Sequence, residues 1–354
     1  MPTPPADTPR PTPPAPRRKA AGRRPSMADV AGLAGVSHQT VSRVINDIPG
    51  VRPATRERVM AAIAELGYRP NNAARTLATS RSGLIGVIAV GSFLYGPTRT
   101  LSGIEEAARS HGFATLLSTI PESDRTAFAA AIDTCLNRAV EAIVVIAARN
   151  RVVEFLAGLH TDVPIVAVGP AAADLPRLTT LSVDQAAGAE AVIEHLRDRG
   201  HGHIALLAGP EHWTDAQART RAVRGCCASF GIELEVFPGD WSAACGFALG
   251  SQLATRAPQQ RPTAVFAAND GMALGLLAAF NRARIRVPRQ IAVAGFDDVP
   301  ESGFYSPALT TVHQDFVELG HRTVLAVLDL VDGREPDTTP IAPTLVVRAS
   351  TVED

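Results

Sequence analysis

The sequence of 354 residues has few cysteines, a formal net charge of only −1 and no long hydrophobic run. No apolar segment approaches the ~18 residues of a membrane helix, and no hydrophobic stretch follows the N-terminal positive charges as it would in a secretion signal. The four cysteines form no C-x-x-C pair, which favours reduced thiols over a metal site. We therefore expect a cytoplasmic protein with no membrane partner, no metal and no other cofactor.

Sequence motifs of catalysis are also missing. The chain has no G-x-S-x-G, no P-loop, no H-E-x-x-H and no G-x-G-x-x-G after a strand. His201 and His203 have no carboxylate at a metal-ligand spacing. We therefore predict that the protein is not an enzyme.

Charge is divided unevenly along the chain. Residues 1–81 contain 13 basic and 5 acidic residues, whereas the remainder contains 21 basic and 30 acidic residues. A basic head on an acidic body indicates a nucleic-acid partner at the N-terminal end. Nine prolines and six basic residues in residues 1–25 predict a disordered, extended tail.

Residues 26–70 have the pattern of three short helices. Ser26 and Asp29 suit a capping box, Gly35 follows where the chain must turn, Ser37 suits a second cap, and a third helix is predicted over 53–66. One apolar face is expected from Val30, Leu33, Ala34, Val41, Val44, Ile45, Val59, Ile63 and Leu66. Three helices with a glycine turn between the first two predict an all-α helix-turn-helix domain.

The second of these helices has many side chains that can hydrogen-bond outward. In a helix-turn-helix domain the start of this helix enters the major groove. There Gln39 can pair with adenine and Arg43 with guanine, while short donors suit phosphate oxygens. Each residue alone could belong to a solvated surface, but the turn and the basic charge favour DNA contacts from Ser37, His38, Gln39, Thr40, Ser42, Arg43 and Asn46.

Residues 82–354 alternate short apolar runs, such as LIGVIAV, AIVVIAA and HIALLAG, with helical stretches. Continuous apolar strands with crossover helices predict parallel sheets buried on both faces. Such sheets bind ligands beyond the carboxyl ends of their strands. Polar residues follow two further runs: Asn269 and Asp270 come after AVFAA, and Asp297 and Asp298 come after IAVAGF. The length of this part of the chain suits two lobes joined by several crossings.

The segments MADVAGLAGVSHQTVSRVIN and VRPATRERVMAAIAELGYRPNNAARTLATSRSGLIGV resemble the N-terminal part of the lactose/galactose repressor family. The resemblance implies that His38, Gln39 and Arg43 read bases. It also implies that residues 71–81 form a hinge, with Asn71 and Ala74 near the DNA and Leu77 as a minor-groove wedge. So short a helix should order only when two copies pack on bent DNA. Without the resemblance, a plain linker would be favoured.

The likeness continues through residues 82–354 as a two-lobed α/β core similar to periplasmic sugar-binding proteins. It implies effector contacts from Arg219, Trp241, Asn269, Asp297 and Gln314. An aromatic ring with polar side chains around it suits the C–H faces and hydroxyls of a sugar. From the residues alone, Trp241 could be a core aromatic and Asp270 a helix cap.

Together these features predict a repressor controlled by a sugar-like effector. A homodimer is expected on a pseudo-palindromic, double-stranded operator, because one recognition helix reads only a half-site. We do not expect a tetramer, because this sequence shows no leucine-heptad helix like the one that makes tetramers in one member of the family. A nucleobase co-repressor is the main alternative; it calls for aromatics on both sides of a planar ring, and only Trp241 is clearly placed. A solute-binding protein would carry a secretion signal and no helix-turn-helix.

Overall fold

The computed structural model describes residues 25–45, 48–68, 81–91, 94–121, 124–146, 152, 155–156, 159, 161–169 and 178–353. The chain divides into two compact units, Met1–Arg81 and Ser82–Asp354. The predicted tail before Pro25 and the predicted hinge before Arg81 lie outside the described residues, as do Asn46, Asn71, Ala74 and Leu77. Predictions for these residues stay predictions.

The N-terminal unit contains the three predicted helices, α1 Met27–Ala34, α2 His38–Ile45 and α3 Pro53–Leu66. The capping box is confirmed: the backbone N–H of Ser26 donates to Asp29 Oδ2 (2.8 Å), and the N–H of Asp29 donates to Ser26 Oγ (3.4 Å). Gly35 ends α1 with a φ of 63°, where a side chain would be strained. The Ser37 hydroxyl accepts from the N–H of Thr40 (3.2 Å) and so begins α2.

The core of this unit is built mainly from small apolar side chains. Val30, Val41 and Val59 are buried where the three helices meet. The expectation for Leu33 is wrong, because its side chain is 46% exposed. The buried face of α1 is formed instead by Val30, Ala31 and Ala34, and at 100° per residue Leu33 points away from that face.

The first lobe of the second unit is a five-stranded parallel sheet with the strand order β2-β1-β3-β4-β5. Its elements in chain order are β1 Leu84–Val90, α4 Tyr95–Ser110, β2 Ala114–Ile120, α5 Arg125–Asn137, β3 Ala142–Ile146, β4 Ile165–Val168 and β5 Thr179–Leu181.

The second lobe is a four-stranded parallel sheet with the order β7-β6-β8-β9. Its elements are α6 Gln185–Asp198, β6 His203–Leu207, α7 Thr214–Phe230, β7 Glu233–Phe237, α8 Ala243–Ala254, β8 Ala264–Ala267, α9 Asp270–Arg282 and β9 Ala292–Ala294. The chain ends with β10 Thr311–His313, α10 Phe316–Val331 and β11 Thr344–Val346, and β10 pairs with β11 in antiparallel fashion.

Both parallel sheets are buried on their two faces. In β1, Ile85 and Val87 pack into one apolar cluster of the first lobe, whereas Ile88 and Val90 pack into the other. The sheet of the second lobe likewise lies between two clusters. This burial explains why the strands read as continuous apolar runs, and it confirms the predicted parallel sheets.

The chain crosses between the lobes three times. After β5 it enters the second lobe at α6, whose apolar side packs there. After β10 it returns, because α10 packs on the first-lobe sheet. The last crossing leads to β11 and lies beside the first: the N–H of Ile341 donates to the carbonyl of Ser182, and the N–H of Asp184 donates to that of Ile341, each at 2.9 Å.

Candidate functional site

The exposed side of α2 carries the predicted DNA-contacting residues. Gln39 and Arg43, one turn apart, are exposed, whereas Val41 and Val44 are buried on the opposite side. Ser37 and His38 are also exposed, and Thr40 and Ser42 are partly so. Of these, Ser37 already has a structural use, because its hydroxyl caps α2 and hydrogen-bonds that of Thr40 (2.9 Å).

A cavity of about 270 Å³ lies between the two lobes of the second unit. It is bordered by the carboxyl ends of β1, β3 and β4 at Val90, Ile146 and Val168. Four of the five predicted effector residues line it: Arg219, Trp241, Asn269 and Asp297. Gln314, the fifth, is 3% exposed and lies behind the wall, hydrogen-bonded to Asp297.

Four polar side chains form a closed ring at this wall, which we call the polar ring. Arg219 Nε donates to Gln185 Oε1 (2.8 Å), Gln185 Nε2 donates to Gln314 Oε1 (2.8 Å), and Gln314 Nε2 donates to Asp297 Oδ1 (2.7 Å). Arg219 Nη2 closes the ring at 3.8 Å from Asp297 Oδ1. Gln185 and Gln314 stand at the first and second lobe crossings, so the ring connects the cavity wall with both.

The guanidinium of Arg219 is fixed on several sides. It lies 3.8 Å from the centre of the Phe296 ring, and Nη1 donates to the carbonyl of Ala268. Burial lowers the pKa of Arg219, while the carboxylates of Asp297, Asp215 and Asp270 raise it. A buried guanidinium held in this way presents its remaining N–H donors in a fixed geometry.

Two carboxylates follow the ends of β8 and β9: Asp270 is fully buried, and Asp297 is partly exposed to the cavity. Burial raises the pKa of Asp297 to about 6, although Arg219 opposes this shift. Burial, and then the charge of Asp297, raises the pKa of Asp270 to about 8. Asp270 accepts hydrogen bonds from Thr311 Oγ1 and from the N–H of Val299 (2.9 Å), so both of its oxygens already have donors.

Asn269, rather than Asp270, caps α9. Asn269 Oδ1 accepts from the N–H of Met272 (2.8 Å), and Nδ2 donates to the carbonyl of Trp241 (3.1 Å). The reading of Asp270 as a helix cap is therefore wrong, because its side chain points into the protein and is fully buried. Asn269 lines the cavity and also fixes the backbone that carries Trp241.

Aromatic rings line the cavity from both lobes. Trp241 lies edge-on to Trp213, with ring centres 5.8 Å apart at 80°, and Tyr95 lies edge-on to Phe316 at 5.9 Å. Tyr305 completes the set. The expectation that only Trp241 is clearly placed is therefore wrong, and a count of aromatics no longer favours a sugar over a nucleobase.

The position of Trp241 depends on a neighbouring glycine. A Cβ on Gly209 would lie 2.1 Å from Trp241 Cη2, so the indole packs directly on the backbone there. Trp241 itself has a φ of 72°, which is uncommon for a bulky residue. The ring is thus held in place by its own backbone and by Gly209.

Sequence reasoning missed Gln185 and Asp215, both of which line the cavity. Gln185 is the first residue of α6, immediately after the first crossing. Asp215 precedes Arg219 by one turn of α7, and burial raises its pKa while Arg219 lowers it. The spacing of Asp215 from Arg219 was a usable signal, because residues four apart share a helix face.

Within the described part of the chain, no group of three or more His, Cys, Asp or Glu side chains is arranged to hold a metal. No helix in that part combines the length and hydrophobicity needed to cross a membrane.

A helix-turn-helix unit and a two-lobed core with a ligand-sized cavity define a ligand-responsive DNA-binding regulator. The family described as "Bacterial regulatory proteins, lacI family" matches residues 26–71, and "Periplasmic binding protein-like domain" matches residues 193–351. The lactose operon repressor of Escherichia coli (strain K12) is 34% identical over 337 residues, which cover 92% of this chain and 90% of that protein. The chain belongs to the LacI family of bacterial regulatory proteins.

Two further comparisons agree with this assignment. The HTH-type transcriptional repressor PurR of Aliivibrio fischeri (strain MJ11) is 29% identical over 333 residues, covering 92% of this chain and 98% of that protein. A crystal structure of the Lac repressor dimer bound to operator and the anti-inducer ONPF has a TM-score of 0.85 at 33% identity. It covers 94% of this chain and 100% of that chain. The predicted family and fold class are confirmed.

Proposed function

We propose that the protein is a transcriptional repressor that binds a pseudo-palindromic operator as a homodimer and responds to a sugar-like effector in the cavity. The observation that carries this proposal is a cavity in which aromatic rings adjoin the polar ring, within a chain that also has a helix-turn-helix unit. An effector acts by binding two conformations with different affinity. The polar ring supports such coupling, because it joins the cavity wall to two lobe crossings.

The DNA contacts proposed for this chain follow from the exposed side of α2 and from family membership. Exposure of Gln39 and Arg43 on that side supports the proposal that these two residues read bases. The complete set proposed is Ser37, His38, Gln39, Thr40, Ser42, Arg43 and Asn46 from the recognition helix region, with Asn71, Ala74 and Leu77 from the hinge. A regulator of this kind works on chromosomal DNA, so we propose a cytoplasmic location and no catalytic role.

The effector contacts proposed are Arg219, Trp241, Asn269 and Asp297, with Gln314 orienting Asp297 from behind. Trp241 offers a ring face to the C–H surface of a sugar, while Arg219 donates and Asp297 accepts hydrogen bonds from hydroxyls. Asn269 holds Trp241 through its backbone carbonyl. A nucleobase effector is the second candidate, because the aromatic rings of both lobes could sandwich a planar ring.

Selection of sites from a randomised duplex library with the full-length protein, followed by measurement of DNA affinity, tests the proposal. We expect pseudo-palindromic sites whose affinity changes when a neutral sugar is added. Trp241→Ala and Asp297→Ala should each abolish that change and leave the affinity without sugar intact. A response to hypoxanthine or guanine alone would establish the second candidate, and sites without two-fold symmetry or a monomeric mass in light scattering would contradict the homodimer.

A further inference from the structure

Asp215 is an acidic residue of the cavity wall that has no partner in the polar ring. It lies in the first turn of α7 and lines the cavity. Among the described residues, none makes a hydrogen bond to the Asp215 carboxylate or an ion pair with it within 4.0 Å. Arg219, one turn later, acts on it only through longer-range attraction.

The two carboxylates that follow β8 and β9 already have donors, on both oxygens of Asp270 and on Oδ1 of Asp297. Asp270 accepts from Thr311 and Val299, and Asp297 accepts from Gln314 and faces Arg219. An ionised carboxylate offers about four acceptor positions on its two oxygens. Of Asp215, Asp270 and Asp297, Asp215 is therefore the one with both carboxylate oxygens left for a ligand.

The charge of the cavity lining favours a ligand that donates hydrogen bonds and carries no negative charge. Among the described residues that line it, Asp215, Asp297 and Glu301 are acidic, and Arg219 is the basic one. Arg219 already serves Gln185, the carbonyl of Ala268 and Asp297. A phosphate group would bring a further negative charge into a poorly solvated space that already has an excess of carboxylates.

We infer that Asp215 determines effector specificity by accepting hydrogen bonds from a donor group of an unphosphorylated sugar, and that the site rejects phosphorylated sugars. The inference rests on the proposed sugar-responsive function. The donor group is either a pair of neighbouring hydroxyls or the ammonium of an amino sugar. Both present two or more hydrogens to one carboxylate, and the resulting bonds are charge-assisted.

Binding measurements on the full-length protein separate these cases. The neutral probes are glucose, galactose, ribose and cellobiose, and the amino sugars are glucosamine and galactosamine. The phosphorylated probes are glucose 6-phosphate and galactose 6-phosphate. Binding of each probe is measured by thermal shift and by calorimetry. Asp215→Asn keeps the shape of the side chain and removes its charge. Glu211→Gln is the matched control, because Glu211 is exposed just before α7 and does not line the cavity.

We expect a neutral or amino sugar to bind the wild type and to lose at least about tenfold in affinity in Asp215→Asn, with no change in Glu211→Gln. If Asp215→Asn loses much more affinity for an amino sugar than for its neutral parent, the donor is an ammonium. If the two losses of affinity are equal, the donors are hydroxyls. The phosphorylated sugars should bind the wild type more weakly than their parents, and Asp215→Asn should narrow that difference.

Three results are distinguishable from this outcome. A sugar that binds Asp215→Asn as well as the wild type overturns the inference and leaves the proposed function intact. A sugar phosphate that binds the wild type as tightly as its parent does the same, and that comparison needs no variant to fold. If no sugar binds the wild type, the proposed sugar effector fails, and the inference fails with it.

Discussion

Gln185→Leu removes the side chain that joins Arg219 to Gln314 in the polar ring. Gln185 is 5% exposed, accepts from Arg219 Nε and donates to Gln314 Oε1, both at 2.8 Å. Leucine has a similar volume and neither hydrogen-bonding group. The variant therefore leaves a charged donor and an amide acceptor without their partners in a buried setting.

Each partner left unsatisfied costs about 1–3 kcal/mol, and the burial of leucine offsets a part of this, so we expect the free energy of unfolding to fall by about 2–4 kcal/mol. Gln217→Leu is the control. Gln217 is half-buried on α7, and its Nε2 donates to the carbonyl of Glu211 (2.7 Å), which water can replace. The free energy of unfolding should fall by less than about 1 kcal/mol in Gln217→Leu.

Urea unfolding followed by circular dichroism, at one fixed protein concentration, measures both losses. The double variant Gln185→Leu/Gln314→Leu should lose less than the sum of the two single variants, because the bond between the two glutamines is removed only once. Equal losses for Gln185→Leu and Gln217→Leu would refute the reasoning, as would strict additivity in the double variant.

Three further outcomes are expected. The pKa of Asp270 is raised from 3.8 to about 8, so the stability that its protonated form contributes is lost as pH rises from 3.8 through about 8. The unfolding free energy of the wild type minus that of Asp270→Asn should fall over this range, and a constant difference would contradict the shift. Gly209→Ala should displace the Trp241 indole and cost about 1–3 kcal/mol; unchanged tryptophan emission and stability would speak against it. Arg43→Ala should weaken binding to a selected operator by about 1–3 kcal/mol and affect random DNA less, with Arg58→Ala as an exposed control; equal losses on both DNAs would show a phosphate contact only.

The N-terminal unit was predictable because its signals act over a few residues. The capping pair Ser26 and Asp29, the turn at Gly35 and the cap at Ser37 are each read within one or two helical turns. The wrong expectation that Leu33 is buried also concerns only one turn of α1. Periodicity alone did not show that Ala31 takes the buried place.

In the core unit, the sequence predicts strands but not their order. Apolar runs mark buried parallel strands, whereas the position of β1 between β2 and β3 depends on contacts between distant parts of the chain. The same limit applied to the site. Gln185 and Gln314 are 129 positions apart, so no local pattern connects them. Asp270 looked like a helix cap because the sequence does not show that Asn269 already fills that role.

The return of α10 to the first lobe has a consequence for protein synthesis. One face of the first-lobe sheet is covered by α4 together with Leu319, Val324 and Val327 of α10. The ribosome makes the whole second lobe between β5 and α10. At ordinary translation speed this interval is on the order of ten seconds. Throughout it α4 covers that apolar face without α10, so a ribosome stalled inside the second lobe would hold a first lobe with part of its core exposed to aggregation.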